Sequence, residues 1–310
     1  MQSAELILGS AIGLFTAMLW GISTNVYQSQ RDEATPIAIS AIKMWTAMAA
    51  MTLIVLLPFR SAPFFVPLES AVFLVASVTI GLVIGDLAYL ISQERIGVSY
   101  AFPISNTFPI LTYMIAIIFV GEVIIVSRII GVVVAVAGVI LLSRSQSLVE
   151  APRNCVVSEE FEDSTETCTD WLGIGMALLA ALCWATGSVL LQRGVEGIDP
   201  IDANFVRMVF GSALFVPIVS ISLRRGMPRP TGRAARIVLV AGLFGMTIGS
   251  LLYTYSVKLV GAAIAALMGS TSPLFALPIS ILALKEGFSS KSILGAVLTV
   301  TGVILVIIAV

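Results

Sequence analysis

Residues 9–146 of this chain, slid forward by 164 positions without a gap, fall on residues 173–310, and 34 of the 138 pairs are identical. Chance would give about a tenth in so apolar a sequence. The informative matches are the less common residues. Trp20 meets Trp184, Gln28 meets Gln192, Pro36 meets Pro200, Gly85 meets Gly249 and Tyr89 meets Tyr253. Gly97 meets Gly261, Thr107 meets Thr271, Pro109 meets Pro273 and Glu122 meets Glu286. Gly131 and Gly138 fall on Gly295 and Gly302, and Lys43 meets Arg207, which keeps the charge. This is internal duplication, so the fold has to be built twice from one plan.

The medium is set by composition. The chain is 58% hydrophobic and 11% charged, with mean hydropathy +1.05, against about 45–50% and 25% in soluble domains. A membrane-spanning helix needs about 20 mostly apolar residues. Ten segments qualify: 6–27, 36–57, 70–92, 98–120, 124–142, 171–191, 203–223, 237–257, 259–284 and 291–310. The first is read as a span, since it lacks the basic flank and cleavage site of a secretory signal. Five helices per copy is an odd number, so the second copy enters the membrane from the opposite side. The expected fold is an all-α integral membrane protein with ten transmembrane helices as two inverted five-helix repeats, an architecture of many secondary transporters. The first repeat is 1–146 and the second 171–310, and 147–170 is an acidic linker too polar to bury a core.

Several functions are disfavoured. Net charge is −1, which gives no electrostatic basis for nucleic-acid binding. There is no histidine, no zinc-type cysteine spacing and no Gly-x4-Gly-Lys-Ser/Thr loop, so no metal, cofactor or nucleotide site is expected. An intramembrane enzyme would need a reactive cluster that the sequence lacks. A channel, or a divalent-ion permease on a related fold, is the alternative to a transporter. Cys155 and Cys168 share the linker, where a disulfide depends on which side of the membrane it faces.

The repeated motifs resemble the drug/metabolite transporter superfamily, EamA-like branch. They are "AMLWG" and "ALCWA" in the first helix of each half, and the Pro-x6-basic spacing of Pro36/Lys43 and Pro200/Arg207. Next come Pro109/Glu122 and Pro273/Glu286, then Gly-x6-Gly in the fifth helix. The resemblance implies export or exchange of small metabolites such as amino acids, or of drugs, and places both termini inside the cell.

The candidate site follows from the breaks. "FPISNTFPI" (102–110) and "LMGSTSPL" (267–274) put proline and small polar residues into spanning segments. Proline removes a backbone donor, and the freed groups need partners inside the protein. Matching breaks in two halves point to a transporter's binding site, but a locally satisfied kink fits as well. Asn106, Thr107, Ser270 and Thr271 are therefore candidate substrate contacts, with Trp20, Asn25, Tyr89, Trp184 and Tyr253. Trp45 and Trp171 suit interface anchors.

A charge at a helix centre costs about 2.5–3.5 kcal/mol. Arg128 lies near a helix end and can snorkel. Lys43 and Arg207 lie about seven residues in, roughly 10 Å deep, and suit ion pairing, gating or an anionic substrate group. Asp86 is too short to snorkel, and its equivalent is Ser250. It suits proton coupling or a structural bond, with Lys43 as partner. By symmetry Lys43 and Glu286 lie towards one face and Arg207 and Glu122 towards the other, which would suit alternating inter-repeat contacts.

The glycine faces of the fifth helices suit close packing, within the chain or against a second copy in a homodimer. Loops alternate between two sides carrying four and eleven Lys/Arg. The positive-inside rule makes the richer side cytoplasmic and both termini external, opposite to what the resemblance implies. The expected setting is the cell membrane, multi-pass, with a small-molecule substrate as partner.

Overall fold

The computed structural model describes residues 3–57, 63–146, 170–275 and 290–308. The linker, with Cys155 and Cys168, lies outside the described residues except for Asp170, and Glu286 lies outside them too. In hydrocarbon every backbone polar group needs an internal partner, which leaves the helix as the economical solution for such apolar runs. The described residues are helices joined by short turns. Among the described residues, seven helices are long and apolar enough to cross a membrane, and two shorter apolar helices accompany them.

In the first half, α1 (Ser3–Ser29) and α2 (Pro36–Leu56) are followed by a long third helix. That helix consists of α3 (Leu68–Ser77), a π-helical turn (Val78–Gly85) and α4 (Asp86–Ile96). Then come α5 (Val98–Ser105), α6 (Phe108–Phe119) and α7 (Val126–Gln146). The second half repeats the plan with α8 (Trp171–Val195) and α9 (Pro200–Arg224). Its third helix is α10 (Gly232–Gly242), a second π-helical turn (Leu243–Gly249) and the part of α11 (Ser250–Ser270) before a kink at Gly261, after which α11 continues as the start of the next span. The last described helix is α12 (Ser290–Ile308).

Even the caps are duplicated. Thr35 accepts from the Ala38 amide ahead of Pro36, and Asp199 accepts from the Ile201 amide ahead of Pro200. Proline at the first helical position loses nothing, because its amide would have no intrahelical partner there. Gly97 (φ 73°) and Gly261 (φ 82°) both take the left-handed conformation that favours glycine. Each ends one spanning stretch and starts the next. The long third helices of the two halves therefore end on equivalent glycines.

The halves are packed by exchange. Helix α1 lies along α11 and the second π-helical turn, while α8 lies along α3, the first π-helical turn and α4. The first helix of each half thus packs against the third helix of the other. Helices α7 and α12 lie together through the glycine faces: a Cβ on Gly138 would stand 2.4 Å from the Thr299 amide nitrogen, and one on Gly302 2.3 Å from that of Ala135. These faces are used within the chain. Trp45 also works inside the protein, donating to the Ser212 carbonyl of α9 at 3.1 Å, whereas Trp171 is 77% exposed at the start of α8.

Candidate functional site

The two polar breaks first serve the backbone. Thr107 donates to the Ile104 carbonyl (2.7 Å) and Thr271 to that of Met268 (2.6 Å). Ser270 donates to the Leu267 carbonyl, and Ser105 reaches the Ala177 carbonyl of α8. Three of these hydroxyls satisfy carbonyls near Pro109 and Pro273 and the fourth one on α8, and Thr107, Ser270 and Thr271 do not line the cavity described below. Asn106 does line it, with its amide nitrogen on the Phe102 carbonyl, and so does Ser272. Asn25 is exposed and lies away from it.

The cavity, about 670 Å³, lies between the halves. Its walls include two aromatic pairs, each built from both halves. Trp20 meets Tyr253 with ring centroids 5.1 Å apart, and Trp184 meets Tyr89 at 5.0 Å. Each indole enters a π-helical turn of the opposite half. A Cβ on Gly249 would stand 2.8 Å from Trp20 Nε1, and one on Gly85 would stand 2.9 Å from Trp184 Cδ1. The duplicated Trp and Gly residues are thus complementary halves of one crossed contact. Trp20 Nε1 donates to the Gly245 carbonyl (3.0 Å), and Trp184 Nε1 to Asp86 Oδ1 (2.9 Å).

The charges differ between the halves. Lys43 and Asp86 form an ion pair at 2.5 Å, both largely buried, with Lys43 Nζ also 5.7 Å from the Tyr27 ring centroid. Arg207, only 4% exposed, lies where symmetry puts Lys43. It has no carboxylate partner among the described residues. Its Nη1 donates to Thr254 Oγ1 (3.2 Å), with Asn204 Oδ1 and Ser250 Oγ at 3.5 Å. Arg207 and Glu122 are not joined: Glu122 holds Arg128 at 3.1 Å instead. Burial pushes the Glu122 carboxyl above its ordinary range, with Arg128 opposing the rise.

The cavity opens towards the C-terminal ends of α1 and α4, where Gln28, Arg31, Gln93 and Glu94 form its mouth. Their equivalents, Gln192, Val195, Val257 and Lys258, do not line it. That opposite end is sealed. Gln192 Oε1 accepts the Ala262 amide (2.7 Å), Lys258 Nζ donates to the Ile198 carbonyl (2.7 Å), and the Ser188 and Tyr253 hydroxyls bond at 2.7 Å. At the mouth no corresponding bond is made by Gln28 or Thr24 among the described residues, and the Tyr89 hydroxyl has no partner there. Sequence reasoning left Gln28 and Gln192 without a role. Their exact repetition was the available signal, since a repeated Gln in a spanning segment needs a polar task.

A duplicated, helical, multi-pass membrane protein with a one-sided cavity between its halves, aromatic-walled and carrying charged groups, belongs to the transporter class. The chain belongs to the EamA-like transporter family, whose profile matches residues 7–144 and again 171–308. Both limits differ by 164, the offset of the repeat. Over 137 residues it is 27% identical to an uncharacterized transporter of Archaeoglobus fulgidus, covering 44% of this chain and 48% of that protein. It is 28% identical over 153 residues to human solute carrier family 35 member G1, covering 49% and 41%. It is 26% identical over 138 residues to the uncharacterized inner membrane transporter YhbE of Escherichia coli, covering 43% and 42%. The matches thus span less than half the length of these relatives. A protein crystal structure shares the fold, with TM-score 0.73 at 17% identity over 96% of this chain and 94% of that one. The family and these relatives are transporters, not enzymes.

Proposed function

We propose that this chain is a secondary transporter of small organic metabolites, with ten spans as two inverted five-helix repeats, working by alternating access. The observation that carries this reading is the paired set of contacts between equivalent positions. Gln192–Ala262 and Ser188–Tyr253 are closed, while their counterparts at Gln28 and Thr24 face the open cavity. Halves built on one plan can exchange those roles, which would close the mouth and open the far end. Trp20, Tyr253, Trp184 and Tyr89 form the walls for the solute, and Asn106 a polar contact. Lys43 and Asp86 form the coupling pair, with protons as driving ion in export or exchange. Amino acids are the first solutes to try, because the walls are aromatic and the cavity also carries cations. In this reading the mouth faces the cytoplasm across the cell membrane, which the positive-inside count supports.

The test is uptake of pooled labelled amino acids into proteoliposomes under an imposed pH gradient, wild type beside Asp86→Asn. Saturable uptake that follows the gradient in wild type and loses that dependence in the variant is the expected result. No saturable flux of any organic solute by folded, reconstituted protein would overturn the reading.

A further inference from the structure

The duplication supplies a template for what the cavity binds. In the first half the buried cation has its anion built in: Lys43 Nζ holds Asp86 Oδ2 at 2.5 Å. In the second half the cation is kept as Arg207, but the position of Asp86 is occupied by Ser250. The two positions correspond locally, since Ser250 Oγ lies 3.5 Å from Arg207 Nη1. The second half therefore keeps the cation of the pair and lacks its carboxylate.

Burying an unpaired cation is costly, and the neutral groups around Arg207 engage it only in part. Thr254, Asn204 and Ser250 all meet the same nitrogen, Nη1, at 3.2–3.5 Å. Ser250 Oγ spends its own proton on Asn204 Oδ1 at 2.9 Å. Two buried donors remain without acceptors, Arg207 Nε and Asn204 Nδ2. Arg207 and Ser250 both line the cavity. A guanidinium with one edge held and another free is suited to a planar two-oxygen anion.

We infer that Arg207 is the recognition site for the carboxylate of an organic anion, which takes the place that Asp86 occupies in the first half. Lys43 is not an equivalent site, because Asp86 neutralises it. The apolar part of the solute lies towards Trp20 and Tyr253, next to Ser250 along α11. This rests on the cavity being the solute site proposed above, and it narrows the substrates to organic carboxylates, with or without an amino group.

The test is binding to purified protein in detergent, read by tryptophan fluorescence, which needs no flux. The probes are matched carboxylates and primary amides: phenylacetate with phenylacetamide, and hexanoate with hexanamide. Wild type is expected to prefer each carboxylate by about tenfold or more, the usual worth of a charge-assisted bond. Arg207→Gln removes the preference. Ser250→Asp restores the missing anion, so it also removes the preference while holding or raising the melting temperature, which separates recognition from folding. Wild type binding carboxylates no better than amides overturns the inference, as does a Ser250→Asp protein that keeps the preference. Carboxylate preference without flux in liposomes would leave this site standing and sink the transport reading. Flux of neutral solutes without the preference would do the reverse.

Discussion

Asp86 in the first half accepts the indole N–H of Trp184 in the second at 2.9 Å, while its other oxygen holds Lys43 at 2.5 Å. One carboxylate thus ties α2, α4 and α8 together across the boundary between the repeats. Asp86→Asn keeps a carbonyl for Trp184 but leaves Lys43 buried without an anion. Losing one partner of a buried pair costs about 3–5 kcal/mol in soluble proteins. The expected result is a clear fall in melting temperature in detergent, partly recovered by Lys43→Gln in the same chain. An Asp86→Asn protein as stable as wild type would show that the pair carries no structural load.

The Gln192–Ala262 bond should hold the far end of the cavity shut. Gln192→Ala removes it, and Gln28→Ala removes its unbonded counterpart. A cysteine at Val195, 1% exposed in this state, reports opening in a background without the native cysteines. Its labelling by a polar maleimide should rise several-fold with Gln192→Ala, since a net hydrogen bond is worth about 1 kcal/mol. Gln28→Ala should leave it unchanged or lower it. Equal effects of the two substitutions would argue that the seal does not depend on this bond.

How much of this was legible in the sequence divides along the repeat. The 164-residue offset gave the doubled plan, because identical uncommon residues survive in register. It also picked out Gly97 and Gly261, whose backbone conformation only glycine takes easily. It did not reveal that Trp20 serves Gly245 and Trp184 serves Asp86. Periodicity describes a helix's own faces and carries no record of which distant helix meets them. The polar breaks misled in part for the converse reason. Thr107, Ser270 and Thr271 looked like cavity residues, yet a hydroxyl beside a proline break can reach a carbonyl three residues back more readily than a solute.

The α7–α12 contact leaves no room for side chains. Gly302→Leu must push the helices apart, since even a Cβ there would stand 2.5 Å from the Gly131 carbonyl oxygen. Overpacking of this kind costs about 1–3 kcal/mol. Gly175 in α8 is the control, because a Cβ there meets nothing within 4 Å. Gly175→Ala should hold or raise the melting temperature, as helical glycine is worse than alanine by about 1 kcal/mol, while Gly302→Leu lowers it. The same pair decides the assembly question: if the glycine face joined two copies instead, Gly302→Leu would change the oligomer size by light scattering.

The direction of the mouth can be read without transport. Arg229, exposed between α9 and α10, lies on the side rich in Lys and Arg, and Glu196, exposed at the end of α8, lies on the other. Cysteines at the two positions, in a background lacking the native three, are treated with a membrane-impermeant maleimide on intact cells. The charge count predicts that Glu196→Cys is labelled at once and Arg229→Cys only after permeabilisation. The mouth, at the C-terminal ends of α1 and α4, shares the side of Arg229, so that pattern gives a cavity loaded from the cytoplasm, as export requires. The reverse pattern would place the termini inside and the open cavity outside. Five of the eleven charges lie in the single segment from Arg224 to Arg236, so substituting those arginines by glutamine tests the cause: if they set the orientation, the labelling pattern changes with them.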